Sequence, residues 1–67
     1  MKTENFTKNF KKHFKQSGLT QAELGQKINI SQGAISKIMS GKEYPRLKTM
    51  IKLIETFETN FESFFKE

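Results

Sequence analysis

Near the start of the chain a phenylalanine recurs at every fourth position. Phe6, Phe10 and Phe14 have this spacing, and the neighbouring lysines lie mostly at other positions. Side chains four residues apart share one face of an α-helix, so the pattern predicts an amphipathic first helix. Gly18 is a typical residue at a helix end and is expected to stop it.

A second helix is predicted to begin at a capping box. Thr20 and Glu23 stand three residues apart, the spacing at which each side chain can bond the backbone N–H of the other residue. Leu24 and Ile28 then supply the apolar face of this helix. Asn29 follows, and because Asn tolerates the left-handed backbone conformation better than other non-glycine residues, we expect a sharp turn there.

A short third helix is predicted after this turn. Ser31 is a favourable N-cap, and Ser40 with Gly41 marks the end of the helix. Its apolar positions have helical spacing: Ala34, Ile35 and Ile38. The remaining residues, which we expect to face away from the core, are Gln32, Gly33, Ser36 and Lys37.

A loop containing the single proline of the chain separates the third helix from a fourth. Apolar residues then repeat with helical spacing at Leu47, Met50, Ile51, Ile54 and Phe57. A cap at Thr59 and Asn60 followed by Phe61, Phe64 and Phe65 predicts a short fifth helix. No strand pattern is visible, so we expect an all-α domain of four or five helices over residues 1–67.

The charge of the chain is unevenly distributed. Residues 1–52 hold eleven basic and three acidic groups (+8), whereas residues 53–67 hold one basic and four acidic groups (−3). The basic portion is therefore a candidate surface for a polyanion, although lysines that only keep a small protein soluble are an equally good interpretation. We expect only long-range attraction from the lysines of the first helix: Lys8, Lys11, Lys12 and Lys15.

The composition argues against several other classes of function. The chain has no Cys, no Asp, one His and no phosphate-binding glycine loop, so we expect no catalysis, no metal, no cofactor and no small-molecule ligand. His13 is interpreted as a partly buried structural residue. Apolar runs are only two residues long, so we expect neither a membrane span nor a signal peptide, and a cytoplasmic protein.

The stretch QAELGQKINISQGAISKIMSG, residues 21–41, closely resembles the helix-turn-helix motif of the phage repressor and Cro family, also called the XRE family. In that motif a small residue stands where the two helices cross, and Gly25 occupies this position. The apolar positions of the motif are filled by Leu24, Ile28, Ile30, Ile35 and Ile38. The resemblance, with the motif at about residues 20–41, implies a compact domain that binds duplex DNA.

The resemblance also implies which residues meet the DNA. A short helix with few bulky groups near its start fits the major groove, where we expect base contacts from Gln32, Gly33, Ser36 and Lys37. Gln32 can bond adenine through N6 and N7, whereas Lys37 could reach guanine or a phosphate. Gly33 could allow close approach to DNA, or could simply be tolerated in a first turn. Phosphate contacts are expected from Thr20, Gln21, Ser31, Ser40, Lys42 and Arg46.

Two departures from the family pattern carry expectations. Asn29 replaces the glycine usual at the turn. Family members often pair a basic residue at the position of Phe14 with an acidic residue at that of Met39, and both are apolar here. Because a buried ion pair can be replaced by well-fitting apolar groups, we expect Phe14 and Met39 to contact each other.

The function expected from these features is that of a transcriptional regulator. One recognition helix reads only a short half-site, so we expect a Cro-like repressor that binds a palindromic operator as a homodimer. The candidate dimer residues are Phe61, Phe64 and Phe65, of which at least one should be available to a partner. An alternative for this segment is that it folds back over the fourth helix, with Phe64 or Phe65 partly exposed. The alternative is a protein-interaction module, antirepressor-like or antitoxin-like, on the same helix-turn-helix scaffold.

Overall fold

The computed structural model describes residues 3–67, and Met1 and Lys2 of the expected domain lie outside this range. The described residues form four α-helices and a final 3-10 helix, without a strand. The elements are α1 (Thr3–Ser17), α2 (Gln21–Ile28), α3 (Gln32–Met39), α4 (Leu47–Thr56) and the 3-10 helix (Phe61–Phe64). The predicted all-α fold is confirmed. None of these helices is long and apolar enough to cross a membrane.

The core is assembled from every one of these elements. Its buried side chains are Phe6, Phe10, Leu24, Ile28, Ile35, Ile38, Met50, Leu53 and Phe64. The rings of Phe6 and Phe10 stack with centroids 5.8 Å apart, as the spacing of the phenylalanines requires. Gly18 has a φ of 74° and ends α1, as predicted. Phe14 and Met39 both pack against this core, and their direct contact stays a prediction.

The fourth helix is present as predicted, and its buried face is narrower than the apolar repeat in its sequence. Met50 and Leu53 are buried, whereas Leu47 is 72% and Ile51 48% exposed. Each helical residue rotates by about 100°, so Met50, Leu53 and Phe57 lie within about 60° of one another, and Leu47 and Ile51 lie beside that sector. The apolar repeat in the sequence is therefore wider than the face that the core covers.

The C-terminal segment is bound to α1. The Asn9 side-chain amide donates to the carbonyl oxygens of Phe64 (3.1 Å) and Lys66 (2.7 Å). The ring of Phe64 stacks on Phe6 with centroids 5.4 Å apart and is 0% exposed, so the expectation that Phe64 belongs to a dimer surface is wrong. Phe65 is half-buried, and Phe61 remains 45% exposed.

His13 is a structural residue of this same contact. Its Nε2 lies 3.1 Å from the hydroxyl of Ser63, and its ring stacks on Phe57 with centroids 5.8 Å apart. Burial, reinforced by the nearby charge of Lys12, lowers the pKa of His13. The partial burial predicted for this residue is confirmed.

Candidate DNA interface

A capping box defines the start of α2, and a residue with left-handed backbone conformation defines its end. The Glu23 N–H donates to the Thr20 hydroxyl at 3.1 Å, and the Thr20 N–H donates to a carboxylate oxygen of Glu23 at 2.8 Å. The predicted capping box is thus present, and its hydrogen bond holds the pKa of Glu23 below its usual value. At the other end Asn29 is left-handed, with a φ of 60°, as the turn required.

Gly25 sets the distance between α2 and α3. A Cβ at this position would lie 2.6 Å from the carbonyl oxygen of Ile30 and 3.7 Å from the backbone nitrogen of Gln32. The first distance is shorter than any ordinary carbon–oxygen contact, so only glycine allows this packing. The small residue expected at the helix crossing is confirmed, and the start of α3 rests directly on the middle of α2.

One face of α3 is buried and the other is open. The hydroxyl of Ser31 accepts the N–H of Ala34 at 3.1 Å and caps the helix, and Ile35 and Ile38 enter the core. The residues on the opposite face are all exposed: Gln32, Gly33, Ser36 and Lys37. The outward orientation predicted for these four residues is confirmed. Their amide, hydroxyl and ammonium groups can all hydrogen bond the edges of bases.

Gly33 differs from Gly25 in having space around it. A Cβ there would have the hydroxyl oxygen of Ser31, 3.9 Å away, as its nearest neighbour. Its φ is not positive, so no backbone conformation requires glycine either. Packing within the domain therefore gives no reason for this glycine.

The end of α3 is joined to the following loop by hydrogen bonds that converge on one carbonyl. The Lys37 carbonyl oxygen accepts the N–H of Lys42 (2.9 Å), the N–H of Glu43 (3.3 Å) and the hydroxyl of Ser40 (3.1 Å). Gly41 lies within this turn and has a φ of 81°. The loop is therefore held in one position relative to the open face of α3.

The candidate phosphate-binding residues lie around this face. Thr20 and Gln21 mark the start of α2, Ser31 caps α3, and Ser40 and Lys42 follow its end. Arg46 is the N-cap residue of α4, makes no side-chain capping bond and lines a groove together with Ala34 of α3. All six are exposed except Gln21, which is half-buried. The three C-terminal phenylalanines lie elsewhere, because the 3-10 helix packs on α1 and α4.

Three further residues lie at the end of α3, next to this face. Tyr44 was absent from the residues expected at the DNA, and only long-range attraction was expected from Lys8 and Lys11. Tyr44 is 48% exposed in the loop, with its ring edge-on to Phe6 at a centroid distance of 6.0 Å. Lys8 and Lys11 of α1 line a groove with Ser40 and Tyr44. Tyr44 is the single tyrosine of the chain and lies between Lys42 and Arg46, so the sequence could have indicated it as a candidate contact residue. The position of the two lysines depends on how α1 packs, which local pattern does not show.

Two helices crossing tightly at a glycine, the second with an open polar face, form a helix-turn-helix unit, a class of DNA-binding structure. The family model described as helix-turn-helix matches residues 10–64. The chain therefore belongs to the XRE-type helix-turn-helix family and is a DNA-binding transcription regulator. Searches of the curated proteins and of the solved structures each found no significant match.

Proposed function

We propose that this regulator is a Cro-like repressor, which places α3 in the major groove of a palindromic operator and binds there as a homodimer. The observation that carries the proposal is the divided surface of α3. Its apolar side, with Ile35 and Ile38, is buried in the core, and the polar residues from Gln32 to Lys37 on its other side are exposed.

Base selection is assigned to the open face of α3. The amide of Gln32, in the first turn, can donate to N7-side acceptors and accept from exocyclic amines, and it suits a bidentate bond with adenine. Lys37 lies one turn further along and can donate to guanine O6 and N7. Ser36 lies between them and can bond either kind of base, and Gly33 leaves room for a thymine methyl group.

Backbone contacts position the domain on the duplex. The helix dipole at the start of α2 favours an anion beside Gln21, next to the hydroxyl of Thr20. The Ser31 hydroxyl accepts the N–H of Ala34 and can donate its own hydrogen to a phosphate at the start of α3. The Ser40 hydroxyl donates to the Lys37 carbonyl oxygen and has to exchange that bond for a phosphate. The cations of Lys42 and Arg46 extend from the loop after α3 and are free of the core. These contacts carry no base preference and make binding depend on salt.

The homodimer is supported by exposed apolar side chains close to this loop. Leu47 and Ile51 stand one helical turn apart on the same side of α4, and Phe61 is a second exposed site. Exposed apolar clusters commonly mark protein contacts. Because Leu47 directly follows Arg46, a partner bound to α4 would lie beside the DNA, as two adjacent half-sites require.

Affinity for a panel of single-base operator variants, at fixed salt, tests the base assignment. The operator is first selected from a random duplex library. Gln32→Ala should flatten the preference at one position of each half-site by about 1 to 3 kcal/mol while leaving non-specific binding in place. Gln26→Ala, which removes an exposed glutamine from α2, is the matched control and should change nothing.

Two outcomes contradict the proposal at different levels. If Gln32→Ala and Lys37→Ala both keep the wild-type order of affinities, α3 does not read the bases. If the wild-type protein shows no salt-dependent binding to any duplex, the domain acts on protein partners instead. Repression itself is measured with a reporter gene downstream of the selected operator, whose expression should fall as the protein accumulates.

Sedimentation tests the dimer separately. The double variant Leu47→Gln with Ile51→Gln should be monomeric at concentrations where the wild type is dimeric, and should remain folded because both side chains are exposed. Phe61→Gln tests the C-terminal alternative in the same way. A dimer unaffected by either change would place the interface elsewhere.

A further inference from the structure

A groove runs between α1 and the end of α3, on the side of the domain away from the 3-10 helix contact of Asn9. Its walls are Lys8 and Lys11 on one side and Ser40 and Gly41 on the other, with Tyr44 and Glu4 also lining it. The volume is about 600 Å³ and the groove is open to solvent, so a chain that continues beyond the groove can lie in it.

The two walls of this groove are in close contact. A Cβ at Gly41 would lie 3.5 Å from the hydroxyl oxygen of Thr7, so the turn that ends α3 rests on α1 one residue before Lys8. The ring of Tyr44 packs on Phe6 and leaves nearly half of the residue exposed in the groove. Lys8 and Lys11 are exposed, one turn apart on the same side of α1.

The groove is continuous with the proposed phosphate-binding loop. Ser40 belongs to both, and Lys42 follows Gly41 directly and is hydrogen bonded to the end of α3. A sugar–phosphate chain held by Lys42 would pass next to the groove mouth. Ammonium and phenol groups are suitable donors for its phosphate oxygens.

We infer that this groove receives the backbone of the operator duplex, with Lys8 and Lys11 as phosphate ligands and the Tyr44 hydroxyl as a further donor. The inference rests on the proposed function and extends the DNA contact onto α1. It also divides the lysines of α1 into two pairs, since Lys12 and Lys15 are exposed on the same helix and do not line the groove.

The two lysine pairs of α1 allow a matched experiment. The double variants Lys8→Gln with Lys11→Gln, and Lys12→Gln with Lys15→Gln, change the same residue type at the same spacing on one helix, with the same loss of charge. The salt dependence of affinity is measured for both on the selected operator. The variant of the groove pair, Lys8 and Lys11, should reduce the magnitude of the slope of log K against log salt by about 1.8, which is about 0.9 for each lost phosphate contact. The other pair should lower it by far less.

Two further variants test the groove without removing a lysine. Glu4→Gln removes a carboxylate from it and should strengthen binding to every duplex. Tyr44→Phe keeps the ring on Phe6 and removes only the hydroxyl, so it should weaken binding while leaving thermal unfolding unchanged. Ethylation interference should show fewer critical phosphates for the groove pair than for the wild type, and no fewer for the Lys12 and Lys15 pair.

The results separate this inference from the proposed function. Equal slopes for the two lysine pairs, with the wild type binding its operator normally, would overturn the groove contact alone and leave only long-range attraction by α1. Failure of the wild type to bind duplex DNA with salt dependence would overturn both. Circular dichroism of each variant confirms that the comparison is made between folded proteins.

Discussion

The two helices of the DNA-binding unit each contain eight residues, a hydroxyl N-cap and one glycine, yet they use the glycine differently. Gly25 of α2 is buried, and a Cβ there would collide with the carbonyl oxygen of Ile30. Gly33 of α3 is exposed, and a Cβ there would lie 3.9 Å from the hydroxyl oxygen of Ser31. Packing within the domain constrains the first glycine. The second is either tolerated in the first turn of α3 or constrained by a partner of the domain.

The sharpest test of this difference is to place the same methyl group at Gly25. Gly25→Ala should destabilise the domain by about 1 to 3 kcal/mol, because the clash is with backbone that cannot rotate away. For a domain of this size each kcal/mol lowers the melting temperature by about 4 to 8 °C. Thermal unfolding followed by circular dichroism measures the shift. An unchanged midpoint would mean that α2 and α3 are not this close.

The N-caps of α2 and α3 should contribute about equally to stability, in contrast to the two glycines. Thr20→Ala and Ser31→Ala each remove a hydroxyl that accepts a backbone N–H, and each should cost about 1 kcal/mol of stability. Urea denaturation measures both. Ser36→Ala removes an exposed hydroxyl from the middle of α3 and is the control, with little or no loss expected. A much larger loss of stability at one cap than at the other would show that the two N-caps are not equivalent.

The opposite sign is expected when alanine replaces Gly33. The helical backbone accepts alanine there, so Gly33→Ala should stabilise the domain by about 0.4 to 1 kcal/mol through a less flexible unfolded chain. The same methyl group should weaken operator binding if the DNA approaches this position closely. Melting temperature and operator affinity are measured on the same sample. Higher stability with unchanged affinity would remove Gly33 from the interface.

The smallest effect on stability is expected from His13, which lies in α1 and serves as a reference residue outside α2 and α3. Its pKa is lowered in the folded protein, so the unfolded chain binds a proton more readily. The contribution of neutral His13 to the free energy of unfolding is therefore fully present above about pH 6.5 and decreases as the pH falls below that value. His13→Gln should flatten the dependence between pH 7.5 and pH 5.5, and urea midpoints at several pH values measure it. A wild-type midpoint that rises on acidification would contradict the assignment.

Local chemistry made most of the fold predictable. The capping box at Thr20, the left-handed turn at Asn29 and the cap at Ser31 depend on neighbouring residues, and all three are present as expected. The exposed face of α3 was predictable for a related reason, since the spacing of Ile35 and Ile38 leaves only one side open. The resemblance to the helix-turn-helix family then indicated base contact as the role of that face, which stays a prediction.

The errors concern contacts between distant parts of the chain. Helical spacing cannot tell which sector of a wide apolar face the core will cover. Leu47 belongs to the apolar repeat and is exposed, whereas Leu53 lies outside the repeat and is buried. Phe64 was a candidate for a partner surface, and the alternative placed the C-terminal segment over the fourth helix. Local sequence does not show that Phe64 stacks on Phe6 of α1. The groove beside Lys8 is likewise formed only by tertiary packing.

The hydrogen bonds that converge on the Lys37 carbonyl have a consequence for the choice of operator. They hold the exposed face of α3 and the loop of Lys42 and Arg46 at a constant separation. If α3 reads the bases as proposed, the distance between base contacts and phosphate contacts is fixed. Stiff and flexible DNA sequences differ in groove width and in the energy needed to change it. Base pairs that no side chain touches should therefore influence affinity, through the ease with which they bring the phosphates to the loop.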